Sequence, residues 1–177
     1  LWAMGRIGGA DVSPDSKKMV YNVSYYSVAE NKSHTVIYAQ NIDGTGEALL
    51  TTAKTSELSP KFTRNGDRIA YMAPDNNGTM QLWEMNADGT NRVQVSHLKR
   101  DVEDFMFSPD GQKVVIIHSN TANNGQPGTV YPDLDKATGR VIDNLMYRHW
   151  DEYVESTPQP YIYDYNTDSL DDTKGVK

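Results

Sequence analysis

Cysteine is absent from all 177 residues, which removes a disulfide framework, a thiolate-bearing zinc site and a thiol nucleophile at one stroke. No apolar run approaches the ~18 residues that a membrane helix requires. Basic residues are short as well: 17 Lys and Arg face 24 Asp and Glu, for a net charge of −7. A phosphate backbone is held by clustered Lys and Arg, so neither nucleic acid nor a bilayer is expected as a partner. The four histidines, His34, His97, His118 and His149, contain no His-Glu-x-x-His and no pair at helical spacing. No metal and no cofactor are therefore expected. His34 and His97 read as solvated residues beside turns, and His118, in an apolar stretch, as a hydrogen-bonded core residue. Gly-x-Ser-x-Gly is missing too, so no residue here is assigned a catalytic role. The opening Leu1-Trp2-Ala3-Met4 has neither an initiator Met nor a charged-then-apolar leader, and any signal peptide is expected to have been removed or to lie outside this sequence.

What is present is a repeat. Val12-Ser13-Pro14-Asp15-Ser16-Lys17-Lys18-Met19-Val20-Tyr21 returns as Phe62-Thr63-Arg64-Asn65-Gly66-Asp67-Arg68-Ile69-Ala70-Tyr71, 50 residues on, and as Phe107-Ser108-Pro109-Asp110-Gly111-Gln112-Lys113-Val114-Val115-Ile116, 45 further. Each copy is an apolar residue, a tight turn and a β-type run headed by a basic residue. A second element keeps step: Ile37 to Thr45 matches Leu82 to Thr90, each ending in an Asp-Gly turn and followed by a short strand, Ala48 to Thr51 and Arg92 to Ser96. Strands are expected near Met19 to Tyr25, Ile37 to Asn41, Ile69 to Ala73, Met80 to Asn86 and Lys113 to Ser119.

Four short antiparallel strands per 40 to 50 residues are the signature of propeller blades. Helical repeats are excluded, because Pro, Gly and Asn-Gly punctuate the chain and the apolar residues alternate at period 2, as in Tyr161-Ile162-Tyr163-Asp164-Tyr165. The reading is an all-β partial propeller of about three four-stranded blades: blade one over about 7–52, blade two over about 57–97 and blade three over about 102–177. The third carries an insertion of about 35 residues over about 120–158. Propellers close with four to eight blades, so the chain is expected to be a fragment, with its open edges prone to self-association.

The insertion supplies the candidate site. Arg148, His149, Trp150, Asp151 and Glu152 bring together a planar carboxylate binder, a titratable ring, an aromatic platform and two acids. Trp150 is expected to anchor the insertion structurally. Arg148 either pairs with Asp151 or Glu152 or meets a peptide, and Arg148 and His149 are the candidate substrate-binding residues. The Asn41-x-Asp43-Gly44 and Asn86-x-Asp88-Gly89 segments lack the ligand spacing of a calcium loop and read as hairpin turns. Asn22, Asn31 and Asn77 head glycosylation sequons, taken as chance matches. The tyrosines Tyr25, Tyr26, Tyr161, Tyr163 and Tyr165 read as cross-strand pairs with hydroxyls at the water line, and Asp164 to Asp172 as a solvated acidic loop.

Leu1-Trp2 through Arg6, the Ser13-Pro14-Asp15 and Ser108-Pro109-Asp110-Gly111 turns, and above all Leu145-Met146-Tyr147-Arg148-His149-Trp150-Asp151 resemble the N-terminal propeller of prolyl-oligopeptidase-family serine peptidases, in particular the bacterial dipeptidyl aminopeptidases and acylaminoacyl-peptidases. The resemblance spans almost the whole chain. It implies a gating propeller, a C-terminal α/β-hydrolase domain as its partner, a peptide substrate and a periplasmic or secreted location. The catalytic domain is absent from this sequence, so no peptidase chemistry is carried over onto any residue. The alternative is a non-enzymatic periplasmic propeller of the Tol-system type that binds a protein or glycan.

Overall fold

The computed structural model describes residues 2–52, 55–121, 131–134, 136, 137, 139, 156–165 and 169–177. Among them every regular element is a strand, and no helix is long and apolar enough to cross a membrane. The fold is an all-β partial propeller. The first sheet has the order β1-β2-β3-β4, formed by Arg6–Val12, Lys18–Ser27, Lys32–Asn41 and Ala48–Leu49. In the second, β5-β6-β7-β8 are Leu58–Phe62, Arg68–Pro74, Met80–Asn86 and Val93–Gln94. β9 is Ser96–His97, and the third sheet joins β10 (Asp104–Phe107), β11 (Lys113–Thr121) and β12 (Ser156–Asp164). Where the repeat predicts a fourth strand, the described residues show a single antiparallel bridge between Ile162 and Val176. The chain spends Leu170–Asp171, β13, on a parallel pairing with β9 instead.

The turns repeat because their side chains close them locally. Ser13 Oγ donates to Asp15 Oδ1 (2.6 Å) and accepts from Lys18 N (2.9 Å), and Ser108 repeats this with Asp110 and Lys113 N (2.9 Å). Those bonds hold the Asp15 and Asp110 carboxyls below the usual carboxylate range, the serine hydroxyl first and the backbone N–H of Lys17 or Gln112 next. The fourth residue of each turn takes a positive φ: 57° at Ser16, 73° at Gly66 and 70° at Gly111. In the hairpin turns, Asp43 and Asp88 accept from the N–H and Oγ1 of Thr45 and Thr90, and their position as turns is plain.

Alternation then sorts side chains between faces. Val20, Ile37, Ala39 and Leu50 of the first sheet pack on Phe62, Ile69, Tyr71, Ala73 and Met85 of the second. Ala70, Met72, Leu82, Val95 and Leu98 form another core with Val102, Phe105, Val114, Ile116, Tyr163 and Leu170. Polar ties fix the inner strands: Asp11 Oδ2 on β1 accepts from Phe62 N on β5 (2.8 Å). Where the outer strands end, a buried hydroxyl replaces a ladder carbonyl, Thr51 accepting from Ile37 N and Ser96 from Leu82 N, both at 2.8 Å.

The chain divides into two compact units, residues 1–118 with 160–177, and residues 119–159. The candidate residues Arg148, His149 and Trp150 lie outside the described residues.

Candidate functional site

Two features of the first unit have the shape and chemistry of a binding surface. The first is a cavity of about 300 Å³ lined by Lys99, Arg100, His118, Tyr161, Tyr163 and Asp172. The route from β9 to β10 supplies Lys99 and Arg100. It is pinned by Gln81, whose Oε1 accepts from Ser96 Oγ (2.6 Å) and Leu98 N (3.0 Å) while its Nε2 donates to Leu98 O (2.8 Å). All of this is buried, so each polar atom needs its partner. The β9 to β13 pairing brings Asp172 alongside, and Lys99 N donates to its Oδ2 at 3.2 Å.

His118 lies on the apolar face of β11 and is 2% exposed. Its ring stacks on Tyr161 (4.1 Å between centroids, 10° between planes), and its Nδ1 has no hydrogen-bond partner among the described residues. The expected core histidine is buried, with the Tyr161 ring stacked against it. Burial lowers its pKa and the Arg100 charge adds to this, against the opposing pull of Asp172 and Glu103. Burial likewise pushes the Tyr163 hydroxyl up to about 12. Two cations, a carboxylate and stacked rings can hold a polar ligand. Among the described residues there is no cluster of three metal-ligating side chains.

The second feature is the face of the first sheet turned away from the second. Tyr21 stacks on Tyr38 (5.8 Å, 13°) and Tyr25 on His34 (5.7 Å, 27°), while the Tyr25 and Tyr38 hydroxyls share a hydrogen bond of 3.1 Å. The Tyr25 bond and then burial push the Tyr38 hydroxyl up to about 12. Tyr21 Oη donates to Glu47 Oε2 (3.1 Å), and a cleft of about 740 Å³ runs over Tyr25, His34, Val36, Tyr38 and Leu49. His34, expected to be solvated beside a turn, is half-buried on β3, because the register sets it opposite Tyr25. Tyr163, expected at the water line, is buried in the core. Lys99, Arg100 and Asp172 escaped the sequence reading as site residues, Asp172 being counted only in the solvated acidic loop. The adjacent Lys-Arg in a blade-to-blade connection was a visible signal for the first two; a parallel pairing between segments more than 70 residues apart leaves no local sign of the third.

No protein-family model matches the chain. Dipeptidyl-peptidase 5 of Porphyromonas endodontalis is 39% identical over 165 residues, 92% of this chain, and that of Porphyromonas gingivalis is 43% identical over 159 residues, 90% of it. The chain is thus similar to dipeptidyl-peptidase 5 of both organisms over nine-tenths of its own length. It spans 23% of the length of these curated relatives. Among solved structures, the acylaminoacyl peptidase of Pyrococcus horikoshii superposes with a TM-score of 0.67 at 10% identity, over 92% of this chain and 24% of that one. The β-propeller domain of the Trilobed protease from Pyrococcus furiosus gives 0.55 at 11% identity, over 93% and 41%. TolB from Acinetobacter baumannii gives 0.53 at 18%, over 91% and 30%. At such identities these three establish the propeller fold alone.

Proposed function

We propose that this chain is the propeller segment of a prolyl-oligopeptidase-family serine exopeptidase that releases dipeptides, and that it gates the access of peptides to a separate α/β-hydrolase domain. The observation that carries this reading is identity of about 40% to dipeptidyl-peptidase 5 over nine-tenths of the chain, joined to a propeller fold. The relatives are about four times as long, which leaves ample sequence for a catalytic domain. In this reading the chain contributes no nucleophile, base or oxyanion hole, and its work is selection by size and orientation. A periplasmic or secreted location and a role of Arg148 and His149 in contacting the peptide belong to the same proposal. TolB-type propellers share the fold, but the relatives at substantial identity are named as peptidases, which favours the enzyme over the non-enzymatic module.

The test uses the full-length protein. It is expected to cleave dipeptidyl anilides, to lose that activity on treatment with a serine-directed phosphonate, and to act poorly on folded proteins with the same N-terminal residues. No turnover of any dipeptidyl substrate by intact protein would refute the enzyme, and equal turnover of short peptides and folded proteins would refute the gate. For Arg148→Ala, unchanged stability with a tenfold fall in kcat/KM, about 1.4 kcal/mol, marks a substrate contact, whereas lost stability with near-normal kcat/KM marks a structural pairing.

A further inference from the structure

Three repeats built to one plan make their exceptions visible. His118 follows Phe107 by the same interval at which Ala73 follows Phe62 and Val23 follows Val12. Ala73 is an apolar filler in the core shared by the first and second sheets. At the next boundary the matching position holds an imidazole that is 2% exposed, and its Nδ1 has no hydrogen-bond partner among the described residues. A buried ring nitrogen without a partner has given up its bond to water for nothing, so apolar packing does not account for a histidine here. The ring lines the cavity of about 300 Å³ instead.

A second break in the repeat completes that cavity. Leu170–Asp171 pairs in parallel with Ser96–His97, and this sets Asp172 beside Lys99 and Arg100. Those three side chains are exposed and form the mouth, whereas His118 and Tyr163 are buried and form the floor. Charges of both signs thus surround an aromatic base. A phosphate dianion would be repelled by Asp172 and a lone amine by the two cations, while an uncharged ligand would cover all three charges without compensating them. A molecule carrying one charge of each sign meets every group with its complement. The volume lies at the low end of ligand pockets, ~300–1,000 Å³, and suits a molecule of only a few residues.

We propose that this cavity binds a small zwitterion of dipeptide size, with its carboxylate on Arg100 and Lys99, its ammonium on Asp172 and its side chain against the Tyr161 ring. The planar fork of Arg100 matches a carboxylate, and the His118 ring, neutral at pH 7, can bond the amide between the two ends.

Binding here requires no hydrolysis. A full-length protein that binds a dipeptide in this cavity yet cleaves nothing sinks the peptidase reading alone, and one that cleaves but leaves the cavity empty sinks this proposal alone. The test is calorimetric titration of the full-length protein, treated beforehand with a serine-directed phosphonate so that no probe is cleaved, with Ala-Phe, Ala-Phe amide and N-acetyl-Ala-Phe. Ala-Phe is expected to bind, and the two capped forms to bind about tenfold more weakly or worse. Asp172→Asn keeps an acceptor for Lys99 N and removes only the charge; it and Arg100→Gln are each expected to weaken Ala-Phe by about tenfold with Tm near that of the parent protein. Should Arg100→Gln lower Tm, Asp172→Asn decides alone. No binding of Ala-Phe at millimolar concentration overturns the proposal, as do capped forms that bind equally well. Binding that Asp172→Asn leaves unchanged assigns the peptide to another part of the protein and overturns it too.

Discussion

The first and second sheets come from one repeat, yet their central strands differ in a telling way. β6 reads Arg-Ile-Ala-Tyr-Met-Ala-Pro, buried at each of its five central positions, because alternate residues enter two different cores. β2 reads Lys-Met-Val-Tyr-Asn-Val-Ser-Tyr-Tyr-Ser and mixes Asn and Ser into the alternation. Gln40 stands where the second sheet has Met85, and it is half-buried where Met85 is fully buried. Shared turns therefore set the shape of both sheets, while the chemistry of each face records what lies against it.

The contrast breaks most visibly at that shared position. Met85→Ala is expected to cost about 3 kcal/mol in urea unfolding, since it opens a void in a closed core, and Gln40→Ala under about 0.5 kcal/mol. Equal losses would mean that the two faces are packed alike. The next largest effect concerns the tie between the sheets. Glu57 is 3% exposed and pairs with Arg92 Nη1 at 3.2 Å, while Arg92 Nη2 donates to Leu50 O at 2.7 Å. Burial raises the Glu57 pKa despite the opposing effects of Thr51 and Arg92. Arg92→Leu is expected to cost about 2 kcal/mol at pH 7, reduced from the value for a fully buried pair because Arg92 is itself one-third exposed. A raised carboxyl pKa means that the folded protein binds the proton more tightly than the unfolded chain. The loss should therefore shrink as pH falls toward 4 and Glu57 is neutralised, and a loss that stays constant with pH would show that the charge is not the cause.

The turns offer a change of opposite sign. Ser16 holds φ at 57° where the second and third sheets use glycine, so Ser16→Gly is expected to raise stability by about 0.5–1 kcal/mol, read as a higher urea midpoint. The smallest effect is expected at His118, buried against the Tyr161 ring. Its pKa lies below 6.5 in the folded state, so the unfolded chain takes up the proton first. Stability is then full above about pH 6.5 and falls as pH drops through the window down to the folded pKa, by under about 1 kcal/mol, a decline that His118→Phe should flatten. An unaltered pH profile would place the titrating group elsewhere.

How much of this was legible varies with the range of the interaction. The Ser-Pro-Asp and Asp-Gly turns could be read directly, because Ser13, Asp15, Asp43 and Thr45 bond within two to five residues of each other. Strands followed from alternation between those turns, and Met80–Asn86 runs where the repeat register sets it. The aromatic face could not be singled out, since Tyr21 and Tyr25 look like any strand tyrosines until the register sets Tyr38 and His34 opposite them. Nor did the sequence mark the Glu57–Arg92 pair, whose members lie 35 residues apart on either side of a core. The insertion residues Arg148, His149 and Trp150 were legible as a cluster of chemistry only.

By itself, then, the sequence determined the all-β class, the repeat, the blade turns and the strands around Met19, Ile37, Ile69, Met80 and Lys113, because short-range hydrogen bonds and period-2 burial are written in consecutive residues. The tertiary structure alone decided that Leu170–Asp171 joins Ser96–His97 in parallel, that His118 is held by Tyr161, and that the aromatic side of the first sheet stands outside both cores. Those outcomes depend on which distant surfaces meet, and a pairing energy between residues tens of positions apart has no expression in local pattern until the chain has folded.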